Sequence, residues 1–91
     1  MTALPARITL SREVVVQPLD GEAIMLDLQA GCYFSLDDIA LRTWQLLDEQ
    51  GGETEPVVAR LLQEYTVDEA TVRQDLADLL AQWAAAGLAT V

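Results

Sequence analysis

The side chains of this chain that can take part in chemistry are almost all carboxylates. Fifteen aspartates and glutamates stand against five basic residues, one cysteine and no histidine. Without histidine, both the commonest general base and the commonest transition-metal ligand are missing. A lone cysteine, Cys32, excludes an intramolecular disulfide and any paired-cysteine metal or redox site. Between apolar strand neighbours it reads as a buried small hydrophobe rather than a nucleophile. Carboxylates alone can hold a hard cation. However, Asp37-Asp38 and Asp68-Glu69 lack the alternate-position spacing and central glycine of a calcium loop. No group of carboxylates or tyrosines stands out as a nucleophile with its base. The serines are Ser11 and Ser35. Neither lies in the Asp-Ser-Leu setting that carries the prosthetic group of an acyl carrier protein. The expectation is a binding protein with no catalytic residue, metal or cofactor.

Charge excludes a second class. The formal net charge is −10, and the basic residues are five scattered arginines: Arg7, Arg12, Arg42, Arg60 and Arg73. Nucleic-acid binding is driven largely by cationic side chains that displace counterions, and no basic stripe can be built here. Arginine suits directed pairing with a carboxylate better than diffuse attraction. Partners are therefore expected to be a peptide or a protein surface, neutral or basic. The apolar share is 52%, yet no run approaches the ~18 uncharged apolar residues of a membrane span. The first residues lack the apolar stretch of a signal peptide. These features predict a cytoplasmic protein that binds no membrane. At 91 residues the chain is long enough for one core, so residues 1–91 are expected to form a single domain.

If no side chain does chemistry, function falls to backbone edges and apolar grooves, and the elements that position them come next. Val14-Val15-Val16-Gln17 is β-branched and stops at Pro18, which cannot donate to a ladder. Asp20-Gly21 signals a turn. From Ala23 to Leu28 the chain alternates, with Ile24, Leu26 and Leu28 on one face and Met25 and Asp27 on the other. Gln29-Ala30-Gly31 fits a three-residue hairpin loop, and Cys32-Tyr33-Phe34-Ser35 follows as a short strand. Ile8-Thr9-Leu10 is a candidate extension of this meander. Three helices come after. The first is capped by Ser35 or Asp37 and carries Ile39, Ala40, Trp44 and Leu47, ending at Gly51-Gly52. The second starts near Thr54 with Pro56 in its first turn. The third is capped by Asp68 and ends at Gly87. Strands first and helices second predict an α+β fold, a small antiparallel sheet with three helices packed against it.

Two features of this layout can carry binding. Sequential hairpins leave the strand from Cys32 to Leu36 with one free backbone edge. Proteins usually blunt such edges with Lys, Pro or a charge, and this strand has none of them. A covering helix would explain that. So would an extended peptide docking as an added strand. On the third helix, Val72, Leu76, Leu79 and Trp83 fall on one stripe. Arg73, Ala77, Leu80 and Ala84 flank it, a shallow groove with an apolar floor and a directed cation, or simply a helix contact. Trp44 and Trp83 read as core. The acidic faces (Asp48-Glu49, Glu53, Glu55, Asp75, Asp78) read as solvated surface.

The run from Ile24 to Asp37 resembles the PqqD-like family, with its apolar strand, Gly-Cys-Tyr-Phe hairpin (Gly31 to Phe34) and Leu36-Asp37 opening a helix that bears Trp44. Val58 to Tyr65 with Val67-Asp68, and Asp75-Leu76 through Gly87-Leu88, are similar to the family's later helices. The similarity spans about 12–89. It implies a winged helix-turn-helix-like domain, the recognition element of ribosomally made, post-translationally modified peptides. Such domains bind a precursor's leader as an added strand along the third strand, in the cleft against the third helix. Here those elements are Gly31 to Leu36 and about Val72 to Ala84. Together the two lines of reasoning assign peptide binding to Leu28, Cys32, Tyr33, Phe34, Ser35, Arg73, Leu76, Ala77 and Leu80. The hairpin Leu26-Asp27-Leu28-Gln29-Ala30-Gly31-Cys32-Tyr33-Phe34 resembles the stand-alone proteins of lasso-peptide clusters more than the family's namesake in quinone-cofactor biosynthesis. Those hand the leader to a separate cysteine protease, and their leaders often carry a Tyr-x-x-Pro element whose ring needs an apolar slot. Other members present a precursor to a radical SAM enzyme. A DNA-binding winged helix and a plain protein adaptor are the remaining alternatives, the former opposed by charge. The free edge also permits dimerisation by strand pairing.

Overall fold

A computed structural model describes residues 4–90. Four strands come first: β1 (Thr9–Leu10), β2 (Val14–Leu19), β3 (Glu22–Asp27) and β4 (Cys32–Leu36). Helices α1 (Asp38–Glu49), α2 (Thr54–Glu64) and α3 (Glu69–Ala85) follow, and β5 (Ala89–Thr90) closes the described chain. The fold is the expected α+β arrangement of a three-stranded antiparallel sheet, in the order β2-β3-β4, followed by three helices. Ile8-Thr9-Leu10 does not extend this meander. Thr9 and Leu10 pair instead with Thr90 and Ala89 of β5, forming a separate two-stranded ribbon. Periodicity could not foresee that partner, because it lies about 80 residues away along the chain.

The β3–β4 hairpin is set by Asp27. Its carboxylate Oδ1 accepts from the backbone N–H of Gln29 (3.0 Å) and of Ala30 (3.1 Å), and its carbonyl accepts from Gly31 N–H (2.9 Å). Those bonds explain how a nearly buried carboxylate is tolerated. Gly31 occupies the left-handed region at φ 73°, where a side chain would be strained. Leu28 consequently lies in the turn rather than in the strand.

Alternation in β3 holds, but the core takes the less apolar-looking face. Ala23, Met25 and Asp27 are buried, whereas Leu26 and Leu28 are exposed. The reason is volume. Met25 and the small Ala23 sit over α1, which packs behind β3 and β4, and flexible Met fills such gaps readily. Asp37 caps α1, its carboxylate accepting from Ala40 N–H at 2.8 Å. Asp68 precedes α3 but caps no backbone group; its carboxylate accepts from the Thr71 hydroxyl instead. That bond holds its carboxyl below the usual range.

The core lies between sheet and helices, with Trp44 and Trp83 meeting edge to face at 5.1 Å around Met25, Leu46, Leu47, Val57, Val58, Leu80 and Leu88. The segment ahead of β1 is strapped to the α1–α2 turn. Ile8 N–H donates to Gly52 carbonyl (2.9 Å), and Thr54 N–H donates to Ala6 carbonyl (3.1 Å). A Cβ on Gly52 would stand 1.9 Å from the Ile8 carbonyl oxygen, so only glycine allows this approach.

Candidate peptide-binding site

The sheet has two terminal strands with opposite character. β2 carries Pro18, which has no N–H to offer. β4 consists of Cys-Tyr-Phe-Ser-Leu, is hydrogen-bonded to β3 on one side, and has no strand on the other among the described residues. Alternation sends Phe34 and Leu36 inward and Tyr33 and Ser35 outward. Leu36 is buried, Phe34 half-buried and Tyr33 71% exposed.

Beside that free edge runs a groove of about 370 Å³, lined by β4, the start of α1 and the last turns of α3: Phe34, Ser35, Asp37, Leu79, Gln82, Trp83 and Ala86 among others. Leu79 also borders a second, smaller hollow of about 80 Å³, lined by Ile39, Leu61, Tyr65, Val67, Val72, Leu76 and neighbours. Ile39 and Val67 are large apolar side chains left exposed at its rim. Leu79 lines both hollows; the smaller is almost wholly apolar, whereas the groove beside β4 mixes apolar side chains with Ser35, Asp37 and Gln82. Tyr65 donates weakly to Asp38 (3.5 Å). Burial, with the charge of Asp38, pushes the Tyr65 phenol up, so it stays a neutral wall.

The expected site residues divide. Phe34 and Ser35 line the groove, Tyr33 lies on the same strand, and Leu76 borders the smaller hollow. Cys32 is exposed at the strand end rather than buried, because it sits opposite Asp27 where the sheet runs out into the turn. The groove floor placed at Leu80 lies one residue earlier, at Leu79. Leu76, Ala77 and Leu80 are each 2% exposed or less and belong to the core, whereas Leu79 is half-buried. A stripe on a helical wheel cannot say which of two apolar flanks meets neighbours; here Ala77 and Leu80 are buried and Leu79 is not. Arg73 is committed within the molecule. Its Nη1 and Nη2 donate to the Glu55 carboxylate at 2.7 and 2.8 Å, and its Nε to Glu69 at 3.0 Å. These bonds hold the Glu55 carboxyl below the usual range and raise the guanidinium further. A peptide carboxylate would have to displace one of them. Gln82 and Ala86 were not foreseen; their spacing from Leu79, at three and seven residues, is the helical signal that marks them.

Groups of three or more metal-ligating side chains do not form among the described residues, and no helix there is long and apolar enough to cross a membrane. No curated protein matches the chain. Two solved structures do. TbiB1 in complex with the TbiA(beta) leader peptide is 41% identical, with a TM-score of 0.81 over 89% of this chain and 93% of that one. A lasso peptide synthetase B1 complexed with the leader peptide is 31% identical, with a TM-score of 0.75 over 94% and 100%. Residues 22–89, from β3 to β5, match the family model described as coenzyme PQQ synthesis protein D, and the chain belongs to that PqqD family.

Proposed function

We propose that this protein binds the leader segment of a ribosomally made precursor peptide and presents it to a maturation enzyme, in the manner of a lasso-peptide recognition element. One observation carries the reading: an unblunted strand edge, β4, borders a groove of about 370 Å³ between that strand and α3. The leader pairs its backbone with β4 as a further antiparallel or parallel strand. Alternate side chains enter the groove against Phe34, Leu79 and Ala86, and an aromatic ring finds its slot in the hollow across Leu79. Backbone pairing supplies affinity without sequence preference, so the pockets select the leader. Catalysis belongs to the partner, which gains an effective concentration of substrate. Two structures similar to this chain hold leader peptides, which supports the reading. The partner of choice is a leader protease; presentation to a radical SAM enzyme is the alternative that the family resemblance implies.

The test is a fluorescence-polarisation titration with a labelled leader, in unmodified form and with N-methyl groups at alternate residues. Binding tighter than about 10 μM, near −7 kcal/mol, is expected for the unmodified peptide. It should disappear when the N-methyl groups fall on the residues that face β4, and persist when they fall on the alternate set. Equal binding by both N-methylated peptides would reject strand addition.

A further inference from the structure

Trp83 is only 4% exposed, and its indole N–H has no acceptor among the described residues. No side-chain nitrogen or oxygen sealed from water lacks a partner there. The indole nitrogen therefore opens to solvent, and the hollow that Trp83 lines is the groove between β4 and α3. Across this groove stands Asp37, at the start of α1. One of its carboxylate oxygens accepts from Ala40 N–H at 2.8 Å, and the other has no partner among the described residues. The groove thus offers one nearly buried donor on α3 and one charged acceptor on α1, beside the apolar surfaces of Phe34, Leu79 and Ala86.

These two groups restrict what a bound peptide can place between them. An indole only donates and a carboxylate only accepts. An apolar side chain would strip both of water and return nothing, which costs affinity. A leader carboxylate could accept from the indole, but Asp37 and a net charge of −10 repel it. An ammonium or guanidinium could pair with Asp37 but has no acceptor for the indole proton. A hydroxyl holds its donor and acceptor on one atom and cannot serve two walls. A carboxamide is neutral and carries its acceptor and its donors on separate atoms.

We infer that the groove reads an Asn or Gln side chain of the leader, whose carbonyl oxygen accepts from Trp83 Nε1–H and whose NH2 donates to Asp37. This rests on the leader reading above. Trp83 and Asp37 are then specificity-determining residues, and what they determine is register. A strand added to β4 can slip by two residues and keep the same side chains facing the groove. Backbone pairing does not oppose that slip, and a carboxamide held at one place does.

The experiment titrates a labelled leader by polarisation, together with a series in which each groove-facing residue in turn is Asn, Leu or Asp. Three proteins are compared. In the first variant Trp83 is exchanged for β-(3-benzothienyl)alanine, where sulfur replaces the N–H at nearly the same shape. Cys32, the single cysteine, is the ligation point for assembling that chain from synthetic segments. The second variant is Asp37→Asn, which keeps a capping side chain on α1. Circular dichroism and thermal melting check the fold. At one groove-facing position, Asn or Gln should bind wild type about tenfold tighter than Leu or Asp. The advantage over Leu should shrink to about twofold or less without the indole N–H, and the penalty for Asp should shrink in Asp37→Asn. The leader with Leu at that position should bind all three proteins alike. Preference for an apolar, hydroxyl or acidic residue at every groove-facing position would overturn the inference. So would an Asn advantage that survives loss of the indole N–H; either result leaves leader binding intact. A wild-type protein that binds no leader removes the underlying reading, and the inference with it. If the benzothienyl protein does not fold, the peptide series on wild type and Asp37→Asn decides.

Discussion

Leu79 and Leu80 are adjacent on α3, equal in chemistry and opposite in situation, so truncating each in turn separates binding from folding. Leu80 is 1% exposed and sits in the core. Removing a fully enclosed leucine side chain costs about 3–4 kcal/mol, the lost transfer energy plus the cavity left behind. Against a total stability of roughly 5–13 kcal/mol for a chain of this length, Leu80→Ala should lower the melting temperature by roughly 15–30 °C and still leave a folded population that binds leader normally. Leu79 is half-buried between the groove and the smaller hollow. A bound peptide would cover the remaining ~40 Å² of Leu79 and a similar area of its own side chain. At about 25 cal/mol per Å² that is near 2 kcal/mol, most of which Leu79→Ala forfeits. Leader affinity should fall about tenfold, with a stability loss near 1 kcal/mol. Urea denaturation followed by tryptophan fluorescence gives the stabilities, and polarisation at low temperature gives the affinities. A Leu79→Ala protein that binds leader like wild type, beside a folded Leu80→Ala protein that does not, would refute the groove assignment.

Three further outcomes follow from the same geometry. Gly52→Ala drives a methyl group into the Ile8 carbonyl at a φ of 87°, so it should cost at least about 2 kcal/mol and accelerate proteolysis ahead of β1; unchanged stability would mean that the strap is dispensable. Arg42 grips Glu64 through two hydrogen bonds of 2.7 and 2.8 Å and holds that carboxyl below its ordinary value of 4.5. A depressed carboxylate lends stability that is complete above 4.5 and is lost as the pH falls through its folded value. The stability gap between wild type and Arg42→Gln, read by urea titration, should therefore be widest at neutral pH and close in acid; a gap that widens in acid would contradict the pairing. Trp83 lines the groove whereas Trp44 does not, so in Trp44→Phe the remaining indole emission should shift on leader addition, and a silent titration at concentrations that bind would place the peptide elsewhere.

What the sequence determined by itself is local or compositional. The β-branched run to Pro18, the glycine of the second hairpin and the Asp37 cap follow from bonds and torsions within a few residues, which is why the sheet of β2, β3 and β4 and the three helices were legible. The absence of histidine and the −10 charge needed no fold to set aside histidine-based catalysis and to oppose nucleic-acid binding. The motif order from Ile24 to Leu88 was enough to point at the family. What the tertiary structure decided is which of two equivalent surfaces faces inward. Period-2 alternation in β3 marks two faces but not the buried one, and α1 chose Ala23 and Met25, leaving Leu26 and Leu28 in water. A 100° step on α3 marks a stripe but not its edges, and tertiary packing drew Leu80 into the core and left Leu79 to the groove. The pairing of β1 with β5, the capture of Arg73 by Glu55 and the exposure of Cys32 are likewise contacts between segments far apart in sequence, or their absence. Local propensity carries no information about such contacts, because they exist only once the core has brought those segments together.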